Sequence, residues 1–471
     1  MRSTIIFKNC FIPKDGSLQH CHVTVKHSRV MRIEIVSAGK EFGKFQCEEK
    51  FGKYTSDLYD EVNVNNNFCQ RDQHDPTKIA TFECAGRIIS PGFIDIQLNG
   101  AFGVDFSNPN IKKDDVLAVA KKLTRHGVTH FCPTMVSSSR NTYEKVIPLI
   151  GGIALMDRSS LLRSSPVTGR ASLELGMHLE GPFFAASKRG AHEADCICEA
   201  MNDNSFSDIY GTGTKRLYSE AGVSIVTLAP ELPGAMNQIK SLSKSNITVS
   251  MGHTEAILRD GIAARKCGAS LLTHLFNAMR PFHHREPGLL GLLQHTENDE
   301  DCSDIYYSII ADGLHSNPTS VKMAYALSKN AVLVTDAMSA MGLGNGEYSL
   351  GTEAVTVKNE KAVIRGTDIL AGSVASMDSC VRSFKKFTGC SHYEALQAAT
   401  INPAKVLGWD NKLASVEEGN FANFVLLDDG MNVLRTLVAG CIVYSANDKC
   451  PAFIEHIRAG SMLPSKRKEL T

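Results

Sequence analysis

The stretch MHLE, Met177–Glu180, is a short apolar run that ends in a carboxylate. Five more runs have the same pattern and end in a side chain that can bind a metal or move a proton. They are IDIQ (94–97), VSMGH (249–253), LLTH (271–274), IIAD (309–312) and LVTD (333–336). Such runs are typical of buried parallel strands, and the carboxyl ends of these strands carry the active sites of barrel enzymes. The six stretches therefore predict a parallel barrel with its chemistry at one end.

The chain around these runs alternates between apolar strands and amphipathic helices. Two clear helical stripes fall at 112–126 and 255–267. The eight predicted strands lie near 93–98, 128–135, 174–180, 223–229, 246–252, 270–275, 305–311 and 331–336. Eight strands that alternate with helices indicate an α/β protein with a (β/α)8 TIM barrel, which we place at 89–407.

Both ends of the chain are rich in β-type sequence, with alternating runs before residue 36 and again at 424–443. This pattern predicts a small discontinuous β-sandwich domain formed by residues 1–88 and 408–460. A polar segment at about 39–80 is interpreted as an insertion. The Gly-rich segment 342–372 is predicted to carry a hairpin, and 461–471 is predicted to be a polar tail.

Composition excludes several classes of protein. Among the 471 residues, Lys+Arg and Asp+Glu each number 50, so the chain lacks the basic excess typical of nucleic-acid binders. No window approaches the roughly 18 apolar residues of a membrane span. The 14 cysteines are scattered without a Cys-x-x-Cys motif, which favours reduced thiols and a cytoplasmic location.

Glu180, His253 and His274 are the predicted metal ligands, because each stands at the end of a separate strand. Two imidazoles and one carboxylate leave an open position on a tetrahedral ion, as in catalytic zinc sites. A single histidine at a strand end is more often structural, but three ligands with the same placement are much less often accidental. We expect one divalent ion per subunit, with Zn2+ favoured and Fe2+, Mn2+ or Co2+ open.

Three further strand-end residues have predicted roles. Asp336 is predicted to be the general base and acid, with a cap for the following turn as the alternative. Gln97 stands where two-metal barrel hydrolases often carry His-x-His, so we expect it to support a single ion from outside its ligand shell. His178 is expected either to orient a ligand in the same way or only to fill the barrel.

Several longer motifs are more specific than any single ligand. They are PGFIDIQLNGAFGVDF (91–106), MHLEGPFF (177–184), SMGHTEA (250–256), THLFNAM (273–279), REPG (285–288), ADGLH (311–315), LVTDAM (333–338) and LAGS (370–373). Together they resemble the N-acetylglucosamine-6-phosphate deacetylases of the amidohydrolase superfamily. The resemblance implies hydrolysis of N-acetyl-D-glucosamine 6-phosphate to D-glucosamine 6-phosphate and acetate. It also implies that Glu180, His253 and His274 hold one ion beside Asp336.

The resemblance extends to residues expected to bind the substrate. It implies that His192 contacts the acetyl carbonyl and that Arg285 reaches the phosphate from a neighbouring subunit, in a homodimer. The other expected substrate contacts are Ala191, Asn277, Ala278, Asp312, His315, Leu370, Ala371 and Gly372. For an isolated arginine such as Arg285, an ordinary surface charge is the alternative. Arg280 and Lys188-Arg189 are interpreted as such surface charges.

Two other functions stay open at this level. A different amidohydrolase, acting on a cyclic amide or deaminating a base, usually carries His-x-His where this chain has Gln97-Leu98-Asn99. A barrel kept as a non-catalytic scaffold usually lacks part of the metal set, which is complete here. Metal content, and release of acetate rather than ammonia, would separate these alternatives.

Overall fold

The computed structural model describes residues 4–26, 28–36, 78–162, 171–211, 214–294, 305–446 and 456–459. Most of the predicted insertion at 39–80 and the whole predicted tail at 461–471 lie outside these ranges. Residues 78–80 are described and belong to a strand, so the sheet begins again before the predicted end of the insertion.

The described residues form 23 strands. In chain order they are β1 (Thr4–Lys14), β2 (Ser17–Lys26), β3 (Arg29–Ile35), β4 (Lys78–Glu83), β5 (Ile88–Pro91), β6 (Phe93–Leu98), β7 (Gly100–Ala101), β8 (Val104–Asp105), β9 (Val128–Met135), β10 (Leu173–Glu174), β11 (Met177–Glu180), β12 (Val223–Leu228), β13 (Thr248–Met251), β14 (Ala269–Leu272), β15 (Tyr306–Ile309), β16 (Ala331–Leu333), β17 (Gly346–Leu350), β18 (Glu353–Lys358), β19 (Lys361–Ile364), β20 (Phe424–Leu427), β21 (Val433–Val438), β22 (Cys441–Ser445) and β23 (His456–Ala459).

Helices follow most of the barrel strands. They are α1 (Lys113–Leu123), α2 (Arg140–Leu162), α3 (Ser205–Tyr210), α4 (Thr214–Leu217), α5 (Ala235–Lys244), α6 (Leu258–Lys266), α7 (Pro318–Leu327), α8 (Met377–Thr388), α9 (His392–Ala399), α10 (Ile401–Val406) and α11 (Asp410–Leu413). Short 3-10 helices cover Thr124–His126, Ala186–Lys188, Ala194–Cys196 and Gly288–Leu293.

Parallel strands form the barrel in the order β6, β9, β11, β12, β13, β14, β15 and β16. The ring closes where Leu98 bridges Ala337 and the backbone N–H of Asp336 donates to the Gln97 carbonyl at 2.9 Å. The predicted third strand is interrupted between β10 and β11 at Gly176, which has a φ of 128°. A Cβ at that position would stand 2.0 Å from Ser224 Oγ, so only glycine fits.

The terminal strands form a second sheet that joins the two ends of the chain. Its main order is β22, β21, β20, β5, β1, β2 and β3, with β4 beside β1 and β23 beside β4. The predicted (β/α)8 barrel with a small β domain from both termini is confirmed. The domain boundaries at 88/89 and 407/408 stay predictions.

Two apolar groups keep the barrel rigid. One lies inside the barrel, where Ile94, Ile225 and Val332 belong to the same buried cluster as Val406 and Trp409. Residues of α10 and the segment after it therefore pack against interior side chains of the strands. The other, larger cluster joins the helices to the outer faces of the strands. The side chains that could carry out chemistry lie at the opposite end of the barrel, at the carboxyl ends of the strands.

The Gly-rich segment forms more than the predicted hairpin. Strands β17, β18 and β19 make an antiparallel three-stranded sheet. It follows the eighth barrel strand in the chain and brings Leu350, at the end of β17, to the mouth of the barrel.

Candidate active site

Three of the predicted site residues adopt an unusual backbone conformation directly after their strands. His253, His274 and Asp336 have φ angles of 52°, 29° and 47°, in the left-handed region. This region costs a residue other than glycine about 1 kcal/mol or more. Hydrogen bonds that fix the backbone offset this cost. At His274, the backbone N–H donates to Ser308 Oγ at 2.7 Å.

Glu180, His253 and His274 meet at the mouth of the barrel, and we call them the ligand triangle. Glu180 Oε1 lies 3.2 Å from His253 Nε2 and 3.0 Å from His274 Nε2, and the two nitrogens are 3.1 Å apart. Ligand atoms about 2.1 Å from a tetrahedral ion stand roughly 3.4 Å apart. The triangle therefore has nearly the size that one such ion requires.

The ring of His253 is held in the tautomer that a metal ligand needs. Its Nδ1 lies 2.8 Å from the Lys188 carbonyl, which can only accept, so Nδ1 carries the proton. In the neutral ring Nε2 then has a lone pair, and this atom faces Glu180 and His274. Stacking on Phe184, with ring centroids 4.2 Å apart, fixes the plane of the imidazole.

The ligand triangle attracts positive charge. Burial by itself raises the pKa of Glu180, but contacts with His253 and His274 outweigh it and hold the pKa well below the usual value. Burial lowers the pKa of His274, but its contact with Glu180 outweighs burial, so the pKa is raised above its usual value. The three side chains thus stabilise a cation at their centre.

His192 lies beside the triangle but presents different chemistry. Glu180, His192 and His253 also bring ligand atoms within 4.8 Å of one another. However, the Ser137 backbone N–H donates to His192 Nδ1 at 3.0 Å, and burial lowers the pKa of this ring to about 3. The neutral ring therefore carries its proton on Nε2, which suits a hydrogen-bond donor better than a metal ligand.

Two amides hold the carboxylate of Asp336. Asn99 Nδ2 donates to Asp336 Oδ1 at 2.7 Å, and Gln97 Nε2 donates to the same oxygen at 3.3 Å. Gln97 Nε2 also donates to Glu180 Oε1 at 2.9 Å, so it links Asp336 to the ligand triangle. Both amides thus present their N–H groups to carboxylates and hold the oxygens of Asp336 and Glu180 in place.

Asp336 is a base whose strength is raised by its surroundings. Burial, followed by the negative charge of Glu180, raises its pKa to about 7, against the opposing effect of the Asn99 hydrogen bond. The preceding residue is anchored to the first barrel strand, since Thr335 Oγ1 donates to Asp95 Oδ2 at 2.5 Å. Asp95 itself is fully buried and has no contact with the cavity.

His178 lies one layer deeper in the barrel. Its Nδ1 is 3.0 Å from the Ile96 carbonyl and its Nε2 is 2.7 Å from Thr227 Oγ1. Both ring nitrogens are thus engaged by groups other than the three members of the ligand triangle. Of the two roles expected for His178, these contacts favour filling of the barrel over orientation of a ligand.

A cavity of about 280 Å³ opens over the ligand triangle. Seven of the predicted substrate contacts line it: Ala191, His192, Asn277, Ala278, His315, Leu370 and Gly372. Asp312 instead accepts from the Leu314 and His315 backbone N–H groups and contacts His315 Nδ1 at 2.7 Å. It therefore positions His315 and does not itself line the cavity.

Comparisons with known proteins show the family of the chain. The amidohydrolase family matches residues 88–443. The N-acetylglucosamine-6-phosphate deacetylase of Mus musculus is 44% identical over 78% of this chain and 86% of its own length. That of Caenorhabditis elegans is 37% identical over 94% of this chain and 95% of its own. The chain belongs to the N-acetylglucosamine-6-phosphate deacetylases of the amidohydrolase family.

Solved structures of this family share the fold. The deacetylase of Thermotoga maritima has a TM-score of 0.70 at 27% identity and covers 94% of this chain and 100% of its own. The enzyme of Pasteurella multocida reaches 0.73 at 25% identity, with the same coverage. A Mycobacterium smegmatis mutant, in complex with N-acetyl-D-glucosamine-6-phosphate, reaches 0.72 at 24% identity, also with the same coverage.

Besides Asp312, two predicted substrate residues of this family member do not line the cavity of their own chain. Arg285 is exposed on a loop and is not among the lining residues. Ala371 is fully buried, and its backbone N–H donates to the Ala362 carbonyl at 3.1 Å. Ala371 thus supports the segment that carries Leu370 and Gly372.

Several residues of the cavity were not predicted from the sequence. Asn99 is the most important, because it donates to Asp336. This contact is visible only once the first and eighth strands are adjacent. The place of Asn99 two residues after Gln97, on the same face of the strand, is a signal that could have indicated it. Lys188 was interpreted as a surface charge but lines the cavity, with its ammonium group 3.4 Å from Glu255. Val136 and Leu350 also line it.

Two observations concern the rest of the described chain. None of its described helices combines the length and the apolar character that crossing a bilayer requires. The ten described cysteines are free thiols.

Proposed function

We propose that this chain removes the acetyl group from N-acetyl-D-glucosamine 6-phosphate and releases D-glucosamine 6-phosphate and acetate. The observation that carries this proposal is the ligand triangle beside Asp336, in a chain whose relatives are named for this reaction. The mouse and nematode proteins match over most of their lengths.

We assign the ligand triangle to one divalent ion. Two imidazoles and a carboxylate suit Zn2+, and Fe2+, Mn2+ or Co2+ would also fit. An ion bound there would polarise the acetamide carbonyl and make a water molecule more acidic. Gln97 donates to Glu180 and so keeps this carboxylate in place.

Asp336 is the proposed general base and acid. Gln97 and Asn99 both donate to its Oδ1, so we assign Oδ2 to proton transfer. Asp336 takes a proton from the attacking water and later delivers it to the departing amine. A carboxylate with a raised pKa performs both steps well near neutral pH.

His192 stabilises the negative charge that develops on the acetamide oxygen. Its Nε2–H is directed by the Ser137 contact to Nδ1, so the donor is in place before substrate binds. One such donor typically contributes about 3 kcal/mol to the transition state.

The phosphate is assigned to Asn277, Ala278 and His315 of the same chain and to Arg285 of a second copy. Arg285 is a permanent cation that suits a phosphate group. Its exposed position fits a residue that acts across an interface. The homodimer, like the cytoplasmic location, stays a prediction.

The decisive experiment combines metal analysis with product analysis. The purified chain is incubated with N-acetyl-D-glucosamine 6-phosphate, and acetate, primary amine and ammonia are measured. We expect equal acetate and amine, no ammonia, one divalent ion per chain, and loss of activity after chelation. Release of ammonia, or undiminished hydrolysis by metal-free protein, would refute the proposal.

A further inference from the structure

Two apolar side chains, Val136 and Leu350, line the same cavity as His192, and we call them the apolar wall. Val136 directly precedes Ser137, whose hydroxyl and backbone N–H lie 2.8 and 3.0 Å from His192 Nδ1. Leu350 belongs to the same buried apolar cluster as Val136, and Ala191 packs against that cluster. Val136 thus adjoins Ser137, the hydrogen-bond partner of the His192 ring. The cluster that contains both wall residues contacts Ala191, the residue before His192.

The apolar wall is rigid, because one hydrogen-bonded chain joins its two halves. Asp105 Oδ2 accepts from the Gly351 backbone N–H at 2.7 Å, and its Oδ1 accepts from the Ser107 N–H at 2.8 Å. Ser107 Oγ in turn accepts from the Val136 N–H at 3.1 Å. A Cβ on Gly351 would stand only 3.0 Å from Val136 Cγ2, so the turn after Leu350 lies directly against Val136.

A second contact fastens the same turn to the loop that carries His192. Thr352 Oγ1 donates to Glu193 Oε2 at 2.7 Å. Both side chains of the wall are about 5% exposed, so they have little freedom to move aside. A wall tied to its surroundings in this way sets a fixed limit on what fits in front of it.

A cavity lined by an N–H donor and by two apolar side chains is complementary to an acyl group, which has a carbonyl oxygen and an alkyl end. We propose that the apolar wall holds the alkyl end of the substrate's acyl group and restricts the enzyme to short acyl chains. Val136 and Leu350 would then be specificity-determining residues, while His192 binds the carbonyl. This inference rests on the proposed deacetylase function and adds which acyl groups the site accepts.

The test compares glucosamine 6-phosphates that carry an N-acetyl, N-propanoyl or N-butanoyl group. We expect the wild type to favour acetyl, and Leu350→Ala to raise the butanoyl-to-acetyl ratio of kcat/KM about tenfold or more, since a methylene in a tight apolar pocket changes discrimination by about 10- to 200-fold. Val136→Ala should shift the ratio in the same direction. Leu343→Ala is the matched control, because Leu343 is 46% exposed and does not line the cavity.

The outcomes separate this inference from the proposed function. Wild-type protein that releases no acetate from the N-acetyl substrate contradicts the function itself. Variants that melt near the wild-type temperature, hydrolyse the N-acetyl substrate and keep the wild-type ratio overturn the apolar wall. If Leu350→Ala does not fold, the ratio measured for Val136→Ala decides. A shift equal to that of Leu343→Ala also counts against the proposal.

Discussion

Two histidines of the same cavity carry opposite tautomers, and single backbone groups decide which. His253 Nδ1 faces the Lys188 carbonyl, whereas His192 Nδ1 faces the Ser137 N–H. The first ring therefore presents a lone pair at Nε2 and the second presents a proton. The sequence names both histidines as functional but does not contain this distinction, because the deciding partners are main-chain atoms of other loops.

Replacing Asp336 should reduce catalysis without reducing metal binding. Asp336→Asn keeps the shape of the side chain but removes its capacity to take a proton. We expect kcat to fall by about 10²- to 10⁴-fold, the usual contribution of general acid–base catalysis. Metal content should stay at the wild-type level, because Asp336 is outside the ligand triangle. Steady-state kinetics and elemental analysis check this, and a variant with normal kcat would contradict the assignment.

Asn99 should tune the pH dependence of the reaction. Its amide donates to Asp336 Oδ1 and thereby lowers the pKa of that carboxyl. Asn99→Ala removes the donor, so the pKa of Asp336 rises. As the pH is lowered, the carboxylate is then protonated at a higher pH than in the wild type. We expect the acidic limb of the kcat/KM profile to move up by about one pH unit. An unchanged limb, with reduced kcat alone, would show that Asn99 acts in another way.

At the scale of elements, the strand–helix order and the strand ends were predictable because their signal is local. The predicted strand at 128–135 coincides with β9, and the predicted helix at 112–126 begins one residue before α1 and ends with the 3-10 helix Thr124–His126. The break at Gly176 was not predicted, and of the sheet made by β17 to β19 only a hairpin was predicted. The break at Gly176 depends on the contact with Ser224, which is distant in the chain and which no local pattern contains.

A contact between residues distant in the chain joins α8 to the 3-10 helix that precedes the barrel strand β9. His126, just before β9, lies 2.9 Å from Asp378 in the first turn of α8. Arg382 also contacts Asp378 at 2.8 Å. Burial raises the pKa of Asp378, but the contacts with His126 and Arg382 outweigh it and hold the pKa well below the usual value.

Asp378 should therefore stabilise the fold in a pH-dependent way. Because the pKa of Asp378 is lower in the folded chain than in the unfolded chain, Asp378 contributes fully to the free energy of unfolding above its unfolded pKa of about 4. This contribution decreases as the pH falls below about 4. We expect Asp378→Asn to cost about 1–3 kcal/mol at pH 7. The difference in melting temperature from wild type should narrow below about pH 4.

Glu144→Gln provides the control for this measurement. Glu144 pairs with Arg140 on α2, and both side chains are about half exposed. Removing an exposed pair of this kind changes stability little. An equal loss for both variants, or a loss for Asp378→Asn that stays constant down to pH 3, would contradict the buried ion pair.

At the scale of the whole molecule, the cavity is short of positive charge for a phosphorylated ligand. Among its described lining residues Lys188 is the only lysine or arginine, and its ammonium group already lies 3.4 Å from Glu255. A phosphate carries up to two negative charges, so a second cation would bind it more tightly. Arg285 of a second copy is the proposed source.

Mixed dimers test this proposal directly. Arg285→Ala and Asp336→Asn should each be nearly inactive at low substrate concentration. A dimer that contains one copy of each has one complete site, so mixing equal amounts of the two should restore roughly a quarter of wild-type activity. Mixing Asp336→Asn with Glu180→Gln should restore none, because both changes lie in the subunit's own site. Activity equal to the sum of the two separate variants would contradict a shared site.

The terminal sheet determines when the chain can finish folding. Strand β5 precedes the barrel, yet its antiparallel neighbour β20 is synthesised only after the barrel is complete. Until then β5 presents an unpaired edge, and such edges readily pair with other chains and cause aggregation. A nascent chain on the ribosome therefore remains vulnerable until its last strands emerge, and chaperones that shield the amino-terminal strands should raise the yield of expressed protein.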